Sequence, residues 1–275
     1  MKTLIKRWLA TLVVFALCSA AVRADVTVVQ TTTMEGGLAA MTGSGAGLSP
    51  KITTRVKGLK SRTDLELPPT INASSITDLV AKQLIVLQHD QKAAQTVDAA
   101  TPAAPAPMTV KIDGTAAPSG KSQVIDGLKC DEYTFTTTMS LAEVAGGQLP
   151  PEAVEMTKGL SVAMKGSTWA KTAPGAAEYT AYQKALAKSD LAGASTKVSG
   201  IKLPGMDKMI QAMSSVDGVA YLTVMDLTVE GAGQLADMMR QMIGTTKVTI
   251  KVTSLSAEAI GDDLFKVPEG YTVVK

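Results

Sequence analysis

The sequence predicts a mainly β protein of the α+β class, in which a curled antiparallel sheet forms a half-barrel and two or three helices cover its concave face. Three observations support this: many short segments rich in β-branched residues, turn residues between them, and amphipathic helical segments late in the chain. Consecutive hairpins favour an antiparallel meander. A meander of roughly ten strands has to curl, because open twisted sheets rarely grow further.

Residues 1–24 are typical of a cleavable export signal. A basic start over residues 2–7 precedes an apolar stretch at 8–18, and small residues lead to an expected cut before Asp25. The apolar stretch is too short to span a bilayer as a stable helix. We therefore expect a periplasmic protein, with an extracellular location as the alternative, and no integral membrane segment after signal cleavage.

Cleavage would change the charge of the protein. The whole chain has 27 basic and 25 acidic residues, and the loss of four basic residues leaves 23, so the mature net charge is −2. The chain has no basic run interleaved with aromatic residues, which argues against a nucleic-acid partner. Cys18 lies in the signal, and Cys130 alone cannot form an internal disulfide.

Short strands account for the first half of the mature chain. Residues 26–34 are rich in β-branched residues, which predicts a strand, and the glycines within 35–50 predict a loop. Residues 51–57 and 60–67 form a predicted hairpin around Gly58. Alternation in its first strand indicates one buried face and one wet face. Further strands are predicted over 74–79, 83–88 and 92–98.

Residues 99–107 have the sequence AATPAAPAP. Their prolines cannot join a central ladder and favour an extended, solvated conformation. The stretch is either a linker or a loop within one domain. Because strands are predicted on both sides, we favour a loop, with residues 25–275 forming a single domain.

The second half mixes strands with helices. Residues 121–126 and 129–138 form a predicted hairpin across Gly127. Further strands are predicted over 161–171, 219–229 and 245–255, followed by a turn at 267–271 and a last short strand. In the strand at 245–255, Val248, Ile250 and Val252 are expected to face the core.

Three helices are predicted in this half. Residues 176–188 place Tyr179, Tyr182 and Leu186 on one face. The segments 204–213 and 233–243 place methionines at helical spacing. These are Met206, Met209 and Met213 in the first segment, and Met238, Met239 and Met242 in the second.

Four sequence stretches and the predicted export signal, taken together, resemble those of a known family of bacterial proteins. The stretches are VKGLKSR at 56–62, IDGLKCDEY at 125–133, STWAKTAPGAAEY at 167–179 and DLFKVPEGY at 263–271. In this order the chain resembles exported bacterial domains of unknown function similar to the LolA/LolB lipoprotein-localisation superfamily. The resemblance implies a LolA-like half-barrel with helices over its concave face, and in the better-known relatives that cavity holds lipid acyl chains.

The predicted function is that of a non-enzymatic envelope protein that binds an apolar ligand, such as a lipid or acyl chain, in the half-barrel cavity. The alternative is a structural or protein-interaction module whose core is filled by its own side chains. Methionine is flexible and suits varied apolar partners, although core filling is its commoner use. The expected ligand-binding residues are Trp169, Tyr179, Tyr182, Met206, Met209, Met213, Met238 and Met242.

No constellation of residues predicts catalysis, a cofactor or a metal. Thioether sulfur suits Cu(I), but the methionines of 204–213 also follow the amphipathic-helix period. Cys130 is expected to be a small buried hydrophobe, and His89 a solvated turn histidine. Asp131 and Glu132 are neighbours on a strand, so they point to opposite faces and cannot act as an acid/base pair.

Overall fold

The computed structural model describes residues 25–37, 49–67, 71–98, 108–143, 159–173, 175–191, 201–202 and 214–274. Within these residues the protein is mainly β, with one thirteen-stranded sheet, two α-helices and a short 3-10 helix. The predicted signal at 1–24, the Ala/Pro stretch at 99–107 and the methionine segment at 204–213 lie outside the described residues.

The sheet is built from two antiparallel meanders. The first comprises β1 (Val26–Glu35), β2 (Lys51–Lys57), β3 (Lys60–Leu67), β4 (Ile71–Asp78), β5 (Gln83–Gln88) and β6 (Ala93–Asp98). The second comprises β7 (Met108–Ile125), β8 (Leu128–Glu143), β9 (Ser161–Lys171), β11 (Val219–Glu230) and β12 (Thr246–Ser256). Pairing of β12 with β1 joins the two meanders.

The sheet is open, with one very short strand at each edge. These strands are β10 (Ile201–Lys202), parallel to β7, and β13 (Thr272–Val274), parallel to β6. The full order is β10-β7-β8-β9-β11-β12-β1-β2-β3-β4-β5-β6-β13. The strands on either side of residues 99–107 therefore belong to the same sheet.

Two of the three predicted helices fall within the described residues. They are α1 (Ala176–Ala187) and α2 (Gln234–Ile243), and a 3-10 helix (Asp262–Phe265) follows the last long strand. In the described part of the chain, neither helix has the length and apolar character that a membrane-spanning helix needs.

The β7–β8 hairpin is longer than the sequence predicts. Its turn is the predicted one, Asp126-Gly127, and the positive φ angles of 49° and 80° are those that a two-residue type I′ turn requires. The strand before it begins at Met108 and continues through Pro118, a stretch for which the sequence predicts no element. A register shift between Pro118 and Ser122 accommodates the interruption as a bulge, so the ladder resumes on both sides.

One face of the sheet, here termed the helix face, packs against α1. Strand alternation and the pairing register place Val28, Val56 and Leu84 on this side. Val28 and Val56 are at most 1 % exposed and share a core cluster with Ala176 and Tyr182 of α1. Val56 therefore lies on the buried face that alternation in β2 indicates.

The opposite face, here termed the C-terminal face, is covered in part by residues 260–271. Ile260 and Phe265 pack there against Leu87 of β5 and its neighbours. The Lys57 ammonium donates a 2.7 Å hydrogen bond to the carbonyl of Ile260. The C-terminal segment thus covers part of a face that alternation in β2 predicts to be wet.

Candidate functional site

Three of the predicted ligand-binding residues contact one core cluster, and two of them, both on α1, lie on the helix face. Tyr182 of α1 is 3 % exposed, and Tyr179 of α1 and Trp169 of β9 pack, partly buried, against the same cluster. Burial raises the pKa of both tyrosine hydroxyls, so they stay neutral across the physiological range. The predicted aromatic part of the site is therefore brought together by the fold.

Polar contacts hold α1 against the sheet. The Tyr182 hydroxyl lies 2.6 Å from the Ser61 hydroxyl in a buried contact. The backbone N–H of Gly218, just before β11, donates to the Thr180 hydroxyl at 3.2 Å. At the margin of α1, Lys184 pairs with Asp217 at 2.9 Å. The helix is thus fixed both to β3 and to the start of β11.

A groove of about 390 Å³ follows the side of α1 that faces the start of β11. Most of its wall is formed by small side chains of the helix, and the Lys184–Asp217 pair lies at its rim. Ala176 lines the groove and is also a fully buried member of the core cluster beneath α1. The groove therefore adjoins the apolar core directly.

The predicted methionines lie elsewhere. Met238 and Met242 of α2 are 49 % and 46 % exposed. The helix packs instead through Ala236 and Met239, in a cluster separate from that of the aromatic residues. Met206, Met209 and Met213 lie outside the described residues. Within the described chain, the ligand-binding set predicted from the sequence therefore divides into an aromatic group and an exposed pair of methionines.

Cys130 is the small buried hydrophobe that the sequence predicts. It is fully buried in the core cluster that also contains Tyr182, and it carries a free thiol. Burial raises the pKa of this thiol. Since the thiolate is the reactive form, the native protein holds Cys130 in an inert state.

His89 was expected to be a solvated turn residue, and the structure corrects this. It does lie in the turn between β5 and β6, but both of its ring nitrogens are occupied. Nδ1 lies 2.5 Å from the Tyr271 hydroxyl, and Nε2 lies 2.6 Å from the Ser74 hydroxyl. His89 therefore links the C-terminal segment to the sheet.

Asp64 is the charged centre of the same cluster. Its carboxylate pairs with Arg55 and with Arg62, whose Nε lies 2.7 Å away, and accepts a 2.5 Å hydrogen bond from Ser74. Burial by itself would raise the pKa of Asp64. The hydrogen bonds from Ser74, Arg62 and Arg55, together with the charge of Arg62, outweigh it and lower the pKa.

The direction of these hydrogen bonds follows from proton counting. Ser74 has one hydroxyl proton, and it goes to the Asp64 carboxylate, so Ser74 accepts from His89 Nε2–H. The other ring nitrogen, Nδ1, lies against the Tyr271 hydroxyl. The result is a hydrogen-bonded relay that joins Tyr271 through His89 and Ser74 to Asp64.

This relay differs from a hydrolase triad. In a triad the serine gives its proton to the histidine, whereas the Ser74 proton is committed to Asp64. Ser74 is also only 3 % exposed. Among the described residues, no three His, Cys, Asp or Glu side chains come together as a metal site would require.

Beside the relay lies an open cleft of about 560 Å³. Its polar lining consists of Arg62, Asp64, Glu66, Asn72, His89 and Asp90, and Ile71 contributes an apolar side chain. The Arg62 guanidinium also donates a 3.2 Å hydrogen bond to the carbonyl of Leu264, which fixes one side of the cleft to the C-terminal segment.

Sequence reasoning overlooked this cleft, although part of it was accessible. The predicted hairpin around Gly58 pairs Arg55 with Arg62, which places Asp64 diagonally opposite Arg55 on the same face. The contact between His89 and Tyr271 joins residues 182 positions apart. Neither position carries a local signal of that contact.

Comparison with known proteins gives little further information. No protein-family model matches the chain, and no curated protein matches it. Among solved structures, the chain is similar to a DUF1329 family protein from Desulfovibrio piger, with 7 % identity and a TM-score of 0.29. The match covers 92 % of this chain and 93 % of that one. At this score the similarity carries no argument about function.

Proposed function

We propose that this is a non-enzymatic, exported envelope protein that binds an apolar ligand, such as a lipid or acyl chain, on the helix face beneath and beside α1. The observation that carries the proposal is the groove beside α1, which adjoins a core cluster containing Trp169, Tyr179 and Tyr182. Its volume falls in the range of ligand pockets.

Chain connectivity supports the half-barrel on which the proposal depends. Ten strand spacings separate β7 from β6, which is about 48 Å in a flat sheet. The connection from Asp98 to Met108 spans at most about 36 Å even when fully extended. We therefore infer that the sheet curls, so that its two ends approach each other.

The contacts of α1 support the same curvature. Thr180 binds the start of β11, while Leu186 packs against the cluster of Leu84 and Val97 on β5 and β6. These two helix residues are about 9 Å apart along the axis. In a flat sheet, the six spacings between β11 and β5 would measure about 29 Å. Curvature around α1 accounts for the difference and makes the helix face concave.

A second candidate, the interaction module with a self-filled core, is favoured by one contact. The buried Tyr182–Ser61 hydrogen bond lies beneath α1, in space that a ligand would otherwise occupy. A buried polar group left without a partner costs about 1–3 kcal/mol, so displacement of α1 by a ligand would be opposed.

Native mass spectrometry tests the proposal. The chain is expressed with its own first 24 residues, purified gently from the host envelope and sprayed intact, and bound material is extracted. We expect the mass of a polypeptide that begins at Asp25, with about one lipid or fatty acid bound per chain. A ligand-free mass, with no uptake of added oleate or phospholipid, would transfer the assignment to the interaction module.

A variant pair locates the ligand. Ala181 lines the groove and is exposed, so Ala181→Trp should occupy the groove without disturbing the core. We expect it to weaken oleate uptake by at least about tenfold, which corresponds to about 1.4 kcal/mol. Ala259→Trp, at an exposed position on a different segment, is the matched control and should leave uptake unchanged. Equal uptake by both variants would place the ligand elsewhere.

A further inference from the structure

The cleft on the C-terminal face is a second polar site, on the side of the sheet opposite α1. Its floor is rigid, because Asp64 is held at once by Arg55, Arg62 and Ser74. Ser74 is in turn fixed to His89. Side chains fixed in this way lose little conformational freedom when a ligand binds, which favours affinity.

Three of the four charged side chains that line the cleft have an ion-pair partner within the described protein, and the exposed Asp90 carboxylate is the fourth. Two guanidinium groups, from Arg55 and Arg62, face the single Asp64 carboxylate. At the rim, Glu66 pairs with Lys51 at 3.6 Å. A strongly charged ligand would have to compete with these pairs, whereas a neutral ligand can add to them.

Hydrogen-bonding capacity remains at the exposed rim. Asn72 offers an amide with both donors and an acceptor, and Glu66 and Asp90 offer carboxylate lone pairs. A hydroxyl group is both a donor and an acceptor, so it can satisfy each of these partners. The rim therefore suits a ligand that carries several hydroxyl groups, fixed at different angles.

We propose that this cleft binds a neutral, hydroxyl-rich ligand of the carbohydrate class, held by Asn72 and Asp90 above the Arg62–Asp64 floor. A volume of about 560 Å³ accommodates one or two sugar rings. The assignment is independent of the apolar ligand on the helix face, since it uses the other side of the sheet and different residues.

Saturation-transfer difference NMR and calorimetry on the purified protein test this site. The probes are glucose, N-acetylglucosamine, maltose and trehalose, with spermidine as a cationic probe. We expect saturable binding of at least one sugar below about 10 mM, a concentration typical of weak single-site ligands. Spermidine should not compete with the bound sugar. Absence of binding by every sugar, or spermidine binding alone at Asp90, would overturn the proposal.

Variants confine the test to the cleft. Asn72→Ala and Asp90→Ala change exposed side chains, so the fold should be unaffected. Each should weaken sugar binding at least about tenfold, equivalent to about 1.4 kcal/mol. Gln91→Ala, in the same turn and also exposed, is the matched control and should bind as the parent does. Sugar binding that is equal in all three variants would contradict the assignment.

Discussion

The two faces of one sheet use opposite means to hold the segments that cover them. The helix face presents valines and buried hydroxyls to α1, and its core contains Val28, Val56 and Tyr182. The C-terminal face presents two arginines, an aspartate and a histidine to the segment that ends at Tyr271. Successive residues of the same strands supply both sets, because side chains alternate across a strand.

The difference between the faces has physical consequences. Apolar burial contributes stability in proportion to area and depends little on pH or salt. A charged network is directional and depends on protonation, and it leaves charges uncompensated when one member is removed. We therefore expect damage to the helix face to unfold the protein at any pH, and damage to the other face to have effects that change with pH.

The largest expected effect lies on the helix face. Tyr182→Ala should lower the free energy of unfolding by about 4 kcal/mol, because a buried aromatic side chain is lost and a cavity remains under α1. Urea denaturation measures it. Tyr182→Phe, which removes only the hydroxyl contact with Ser61, should cost about 1–2 kcal/mol. A loss below about 1 kcal/mol for Tyr182→Ala would mean that α1 is not docked as described.

The next effect lies on the C-terminal face. Asp64→Asn leaves the charges of Arg55 and Arg62 without their partner, and we expect a loss of about 3 kcal/mol at neutral pH. Asp90→Asn, at an exposed position nearby, is the control and should change stability by less than about 0.5 kcal/mol.

The pH dependence of Asp64→Asn sharpens the contrast. The folded-state pKa of Asp64 lies below the unfolded value of about 3.9, so the unfolded chain binds the extra proton first. The contribution of Asp64 is therefore complete above about pH 5 and is lost as the pH falls through the folded-state pKa. The difference in stability between the parent and Asp64→Asn should shrink in acid, whereas the deficit of Tyr182→Ala should not. If the loss of stability caused by Asp64→Asn stayed constant down to acid pH, the charged network around Asp64 would not contribute as described.

A smaller and local effect is expected at the end of the relay. Tyr271→Phe removes the hydrogen bond to His89, worth about 1 kcal/mol. The loss should appear as faster hydrogen exchange in residues 262–274, with little change in β7–β9, because regions open separately. Tyr133→Phe on β8 is the control. Unchanged exchange in the C-terminal segment would show that its other contacts, such as the packing of Ile260 and Phe265 and the Arg62 hydrogen bond to Leu264, hold it without the Tyr271 hydroxyl.

Local sequence pattern was enough to predict most strands of the sheet but not the segments that pack against its two faces. Local composition predicts β5 at 83–88 and β9 at 161–171 with the observed bounds, and Asp126-Gly127 predicts the central turn. The first half of β7 is not predicted from the sequence, and it contains Pro118, which a bulge accommodates. Such accommodation depends on pairing with β8, which is a tertiary effect.

The two candidate sites were accessible from the sequence to different degrees. Tyr179 and Tyr182 share a helix face by spacing alone, so their joint burial follows from periodicity. The C-terminal cleft depends on docking of Tyr271 against His89, which no periodicity encodes. A site assembled from segments far apart in the chain has to be read from the fold.

The smallest expected effect on stability, at Met238 of α2, tests how far the apolar site extends from α1. Met238 and Met242 point away from the core on α2, while Met239 packs against it. Met238→Gln should therefore change stability by less than about 0.5 kcal/mol, whereas Met239→Gln should cost about 1 kcal/mol through lost packing. If Met238→Gln leaves both stability and oleate uptake unchanged, the apolar site is confined to the surroundings of α1. Weaker uptake without loss of stability would instead extend the site to α2, as the spacing of the methionines predicts.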